Sequence, residues 1–228
     1  MGGRRRVGVV GAGPAGIMAA LQAARHGAHV LLFDTNAMVG RKLLVTGNGR
    51  CNISNIRAAA EVYTCADPKF LETAFSLCGH QETVSYLRDW GIPTYATPDG
   101  WCYPLSNSAA AVAKTFAAML ELAGVVVCLK TKITDVLATD GEITLVVGGP
   151  PHTCAVDRVV VASGGKAAPE LGSKGELTPV LERLGHTIIP VRPALVPIVA
   201  DVKRLHELQG VRLDVGLTLL EKGHVLVG

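Results

Sequence analysis

Three glycines near the start of the chain constrain its fold more than anything else. Gly11, Gly13 and Gly16 make a G-x-G-x-x-G pattern in Gly11-Ala12-Gly13-Pro14-Ala15-Gly16. Alone the pattern says little, because glycine-rich turns are common. Its setting says more. The apolar stretch Val7–Val10 precedes it, and a segment rich in Ala, Leu and Met follows up to Gly27. This order predicts a buried strand over 5–10, a helix over 14–26 closed by Gly27, and a second strand over 29–33 ending at Asp34. Two parallel strands joined through a helix require a right-handed crossover. The expected fold is therefore α/β, with a Rossmann-like parallel sheet covered on both faces.

In that setting each glycine has a task. Gly11 permits the tight turn, Gly13 lets the backbone approach a pyrophosphate, and Gly16 allows close helix–strand packing. Pro14 and Ala15 open the helix, whose free N–H groups and positive dipole end face an anion. Asp34 stands 18 residues after Gly16 at a strand end, where a carboxylate accepts hydrogen bonds from ribose hydroxyls. A free 2′-hydroxyl is implied, which fits FAD or NAD and fits NADP poorly. A plain glycine-rich turn is the alternative.

Composition closes other routes. The chain has 228 residues, with 49% hydrophobic and 18% charged, which excludes a disordered polymer. A net charge of +3, scattered along the chain, gives no nucleic-acid footprint, so no nucleic-acid partner is expected. Arg4–Arg6 followed by an uncharged run to Ala24 resembles a signal or anchor, but the glycines within the run fit a turn better. No membrane partner is expected. The six cysteines include no C-x-x-C pair, so no metal site is expected, and reduced thiols in the cytoplasm are the natural reading.

Further along, helices are expected over 80–90, 108–123 and 176–184, followed by Gly91, Gly124 and Gly185. Strands are expected over 125–129, 132–138, 142–147 and 157–162, with Asp140–Gly141 as a hairpin turn. The last strand runs into Ser163-Gly164-Gly165, where backbone can approach a ligand at the carboxyl edge of the sheet. Pro190, Pro193 and Pro197 imply an extended crossing into another domain, followed by β-type segments at 213–220 and 225–227. The expected domains are 1–195 and the start of a β-rich domain over 196–228, and the chain reads as a fragment.

Residues 40–55 read as a polar loop. Arg41, Lys42 and Arg50 are placed to neutralise a diphosphate, and Thr46, Gly47, Asn48, Gly49 and Asn52 offer hydrogen bonds and close backbone approach. Cys51 beside these cations suggests a redox role, with packing as the plainer alternative. A solvated basic loop is the alternative for the whole stretch. Tyr103 and His186 read as structural by default.

This loop, Gly40-Arg41-Lys42 through Asn48-Gly49-Arg50-Cys51-Asn52, resembles the signature of the HI0933-like flavoproteins, also described as aminoacetone oxidase-like or BaiN-like NAD(P)/FAD-dependent oxidoreductases. Gly100-Trp101-Cys102-Tyr103-Pro104-Leu105-Ser106, Ala162-Ser163-Gly164-Gly165 and Arg192-Pro193-Ala194-Leu195-Val196-Pro197 are similar to further family elements. The resemblance implies an FAD-binding domain with an inserted domain beginning near residue 196, and a further C-terminal segment contacting the flavin. It implies that the backbone at Ile133 reads the adenine, a plain core isoleucine being the alternative, and that hydride or electrons pass between the substrate and either a nicotinamide, with NAD(P)H as reductant, or oxygen. It implies oxidoreductase chemistry on a small-molecule substrate, with no catalytic residue assigned. Lys174, Leu177 and Ala168 depart from the family pattern, Leu177 standing where the family has a flexible glycine. Three readings compete: an inactive truncated flavoprotein, a flavin-dependent tRNA-modifying protein, and a plain NAD-binding module.

Overall fold

The computed structural model describes residues 3–139, 141–149, 152–192, 216, 218–221 and 224–227. It divides into two units, Met1–Val191 and Arg192–Gly228. In the second, β11 (Leu219–Glu221) and β12 (His224–Val227) form an antiparallel pair. Pro193, Pro197, Asp140 and the expected boundary at 195/196 lie outside the described residues.

The first unit begins with β1 (Arg6–Val10), α1 (Pro14–Arg25) and β2 (His29–Phe33), whose strands pair in parallel. After β3 (Ser54–Asn55), α2 (Pro68–Leu77), α3 (His80–Asp89), β4 (Thr94–Ala96), β5 (Trp101–Pro104) and α4 (Ala109–Leu122), the chain returns to the sheet as β6 (Val126–Cys128). It leaves again through β7 (Ile133–Thr139), β8 (Glu142–Val147) and β9 (His152–Val156), and re-enters as β10 (Arg158–Val161) before α5 (Thr178–Arg183). The parallel sheet has the order β10-β1-β2-β6. The strands β7-β8-β9 form an antiparallel sheet, and β3-β5-β4 form another.

Alternation along the two central strands builds two cores, because successive side chains leave a strand on opposite faces. Val9, Val30 and Leu32 join Ile17 and Leu21 of α1 and Phe116 and Leu120 of α4. Val10, Leu31 and Phe33 join Ile133, Val136, Leu145 and Val156 on the opposite side. The layers are therefore helices, parallel sheet and antiparallel sheet. Gly8 makes this packing feasible: a Cβ there would stand 2.7 Å from Leu145 Cδ1.

Several expectations are corrected. Residues Arg41–Gly49 are not an open loop but tight helical turns, interrupted at Thr46–Asn48 where Gly47 and Asn48 have φ of 54° and 55°. The stretch between 57 and 78 contains α2, none of whose residues is buried, so no period of core positions marks it. The strand β9 continues the meander in a stretch left unassigned by sequence. The helix expected over 176–184 starts at Thr178, two residues later than expected, because Gly175 at φ 67° shapes a turn ahead of it.

Candidate functional site

The turn between β1 and α1 is packed so closely that two glycines have no substitute. A Cβ on Gly16 would fall 1.7 Å from the Gly11 carbonyl oxygen, and one on Gly11, at φ 105°, 2.4 Å from the Ala162 carbonyl oxygen. Gly13 differs: nothing lies within 4 Å of the Cβ position, so the packing of the fold does not require a glycine there. Gly13 caps α1 without a side-chain hydrogen bond, Pro14 follows at the helix start, and no acidic residue occupies the first turn. The N–H groups of Ala15 and Gly16 are thus left for an anion.

This turn forms one wall of a cleft at the carboxyl ends of β1, β2 and β10. Gly11, Gly13, Pro14, Ala15, Asp34, Arg41, Lys42, Ile133, Ser163 and Gly164 all line it. Gly16 is buried beneath it. Gly165 is exposed nearby, and its carbonyl accepts a hydrogen bond from the Ser173 hydroxyl. Ile133 is 5% exposed, packs in the second core and lines the cleft.

Asp34 is held by the backbone it serves. The Ala12 N–H donates to Oδ2 at 2.6 Å, and the Asn36 N–H and Nδ2 donate to Oδ1 at 2.7 and 2.8 Å. Asn36 in turn accepts from Arg41 at 2.6 Å, whose second guanidinium nitrogen donates to the Glu170 carbonyl at 3.3 Å. Lys42 Nζ stands 3.7 Å from where a Gly164 Cβ would lie.

Residues Thr46 to Asn52 do not line this cleft. They form a strained corner of their own. Arg50 lies over the Tyr103 ring at 4.4 Å and donates to its hydroxyl at 3.2 Å. Cys51, at φ 65°, is 1% exposed. Burial pushes its thiol above the usual range, against a smaller opposite effect of the Thr46 hydroxyl. Its cationic neighbours in sequence therefore do not produce a reactive thiolate. With thiol-directed alkylation at neutral pH, exposed Cys78 is expected to react first and Cys51 last. Cys51 labelling should rise only as the pH climbs past the ordinary thiol value. Rapid labelling of Cys51 in the folded protein would contradict this.

The segment Leu171–Leu177 supplies much of the opposite wall, and of it sequence reasoning had singled out only Lys174 and Leu177, as departures from the family pattern. Ser173 is buried and donates to the Ser163 carbonyl at 3.2 Å. Glu176 pairs with Lys132 at 2.8 Å, a contact that lowers its carboxyl below the usual range. Leu177, 4% exposed, seals the cleft against the second core. Among the described residues no group of three His, Cys, Asp or Glu side chains is placed to hold a metal ion, and no helix is long and apolar enough to cross a membrane.

A parallel sheet with a bare helix N-terminus and a carboxylate at the end of the second strand defines a Rossmann-type dinucleotide-binding protein. Residues 5–219 match the HI0933-like protein Rossmann domain. The chain belongs to this HI0933-like family. It is 33% identical over 224 residues to the 3-dehydro-bile acid delta(4,6)-reductase of Clostridium scindens, covering 97% of this chain and 54% of the relative. It is 28% identical over 201 residues to the ribosomal RNA dihydrouridine synthase of Escherichia coli, covering 88% of this chain and 50% of the relative. The chain thus spans about half the length of these curated relatives. Among solved structures it is similar in fold to a 3-ketosteroid-delta4-(5alpha)-dehydrogenase from Rhodococcus jostii, with TM-score 0.54, 18% identity, and coverage of 71% of this chain and 46% of that one.

Proposed function

We propose that this chain is the FAD-binding part of a cytoplasmic flavin-dependent oxidoreductase that reduces a small organic substrate at the expense of NAD(P)H. The observation that carries this reading is the meeting in one cleft of the open Gly13 turn, the uncapped α1 N-terminus and the ribose-ready Asp34. The donor set fits the adenosine diphosphate half of FAD. The N–H groups of Ala15 and Gly16 and the cations Arg41 and Lys42 would hold the diphosphate. Asp34 would hold the ribose, and Ile133 and Leu177 would give the adenine an apolar wall. When bound, the flavin supplies hydride or electron transfer, and the protein supplies position and electrostatics.

The names of both curated relatives describe reduction at a ring. This supports a reductase acting on a ring carbon–carbon double bond. Residues from 196 onward are proposed to begin an inserted β-rich domain completed elsewhere in the protein. The greater identity to the bile acid reductase, 33% against 28%, favours the small-molecule reading. A second reading, reduction of uridine in RNA, is favoured by the name of the Escherichia coli relative. Dihydrouridine appearing in RNA incubated with protein and NADPH would select the second reading. NADPH oxidation driven by small cyclic enones, with RNA unchanged, would select the first.

The visible absorption spectrum of the purified protein tests the cofactor. Flavin bands corresponding to about one FAD per chain, with FAD identified after release, are expected. A folded protein that stays colourless after incubation with FAD would overturn the reading and leave the inactive fragment in its place.

A further inference from the structure

The Asp34 carboxylate has less free capacity than its position suggests. An ionised carboxylate accepts at about four lone-pair positions, two on each oxygen. Three are taken by N–H donors: Asn36 N and Nδ2 on Oδ1, and Ala12 N on Oδ2. Oδ1 is therefore filled, and Oδ2 keeps one position. The Asn36 side chain responsible is itself held on both ends. Its amide nitrogen donates to Asp34, and its amide oxygen accepts from Arg41 at 2.6 Å. The backbone of Gly172 lies against it: a Cβ at Gly172 would stand 3.0 Å from both amide heteroatoms. Gly172 adopts φ 96°, so the chain crosses Asn36 in a conformation and at a distance that suit glycine. Arg41 is anchored to the same segment through the Glu170 carbonyl.

Resting on the dinucleotide reading of this cleft, we propose that Asn36 is a positioning residue that limits Asp34 to one ribose hydroxyl, accepted on Oδ2. Asn36 itself lines the cleft, and its part is played through Asp34. It acts by filling Oδ1 and fixing the carboxylate plane, and Arg41 and Gly172 keep its amide in register. The site then reads one of the two ribose hydroxyls strongly and the other weakly.

Titration calorimetry with ADP, 2′-deoxy-ADP and 3′-deoxy-ADP tests this on the purified protein and on Asn36→Ala and Arg41→Met. The wild type is expected to lose affinity on the order of 10- to 100-fold for one deoxy nucleotide, the range for a hydrogen bond to a charged group. It should lose no more than about 3-fold for the other. Asn36→Ala vacates one of the two filled positions on Oδ1, the backbone N–H keeping the other, and should shrink the difference between the two analogues to within about 3-fold. Arg41→Met retains the Asn36 amide but releases its oxygen, and should shrink the difference part of the way, which keeps the test open if Asn36→Ala does not fold. Equal losses for both analogues in the wild type would overturn the proposal, as would an unchanged difference in a folded Asn36→Ala. Failure of the wild type to bind ADP or FAD at all is a separate result, and it would overturn the dinucleotide reading itself.

Discussion

Gly16→Ala is expected to cost about 3–5 kcal/mol of stability and to abolish flavin retention, while Gly13→Ala, three residues earlier, leaves stability within about 0.5 kcal/mol. The added methyl at Gly16 meets the Gly11 carbonyl oxygen at 1.7 Å and its carbon at 2.9 Å. Those atoms are backbone, and they cannot retreat. The Gly11 N–H is bonded to the Phe33 carbonyl at 2.7 Å, and its α-carbon already abuts the Ala162 carbonyl. At Gly13 the backbone has φ −76° and the Cβ position is open, so alanine fits the empty protein. The methyl would stand where a diphosphate approaches, and FAD or ADP affinity should fall at least about tenfold. Thermal melting and nucleotide titration of both variants separate the two effects. A Gly16→Ala protein with unchanged melting would refute the packing account. A Gly13→Ala protein with unchanged affinity would place the diphosphate elsewhere.

Leu145→Ala is expected to destabilise the protein by about 2–5 kcal/mol. Leu145 is fully buried in the middle strand of the antiparallel sheet, and its Cδ1 occupies the space that Gly8 vacates in the central strand of the parallel sheet. Truncation leaves a cavity between two sheets whose backbones cannot close on it. The same contact supplies a stricter test. Gly8→Ala alone collides with Leu145 Cδ1 at 2.7 Å and Val156 Cγ1 at 3.3 Å, but in the Leu145→Ala background its methyl enters the cavity. The double variant should be more stable than the sum of the single losses by about 0.5–3 kcal/mol in urea unfolding. Additive losses would show that the sheets do not meet through this pair.

The parts of the fold legible in the sequence were those where local chemistry leaves one choice. The βαβ unit announced itself through apolar strands, Pro14 at the helix start and glycines after the helices. Gly27, Gly91, Gly124 and Gly185 all adopt positive φ at those ends. The small sheet β3-β5-β4 was illegible because its strands are two to four residues long, too short to show alternation. The candidate site divides the same way. Gly11, Gly13, Gly16 and Asp34 form a contiguous pattern with known geometry. Asn36 and Ser173 each work through two side-chain hydrogen bonds, and nothing in their own sequence surroundings marks them. In the stretch Thr46–Asn52 the glycines and amides stand outside the cleft, with Gly47 and Asn48 at positive-φ corners and Arg50 stacked on Tyr103.

The entry of β10 beside β1 also bears on the order in which the protein is made. Arg6 and Asp157, joined at 2.6 Å, are 151 residues apart, and the cleft takes one wall from Val10–Ala15 and another from Leu171–Leu177. Contacts this distant are slow to form, because a long loop must close before they contribute. During synthesis the glycine turn emerges early and has no opposite wall until residue 177 has followed it. The cleft is thus complete only once residues 171–177 have docked opposite the glycine turn. In a refolding experiment nucleotide-dependent fluorescence should recover after the helical signal, not with it.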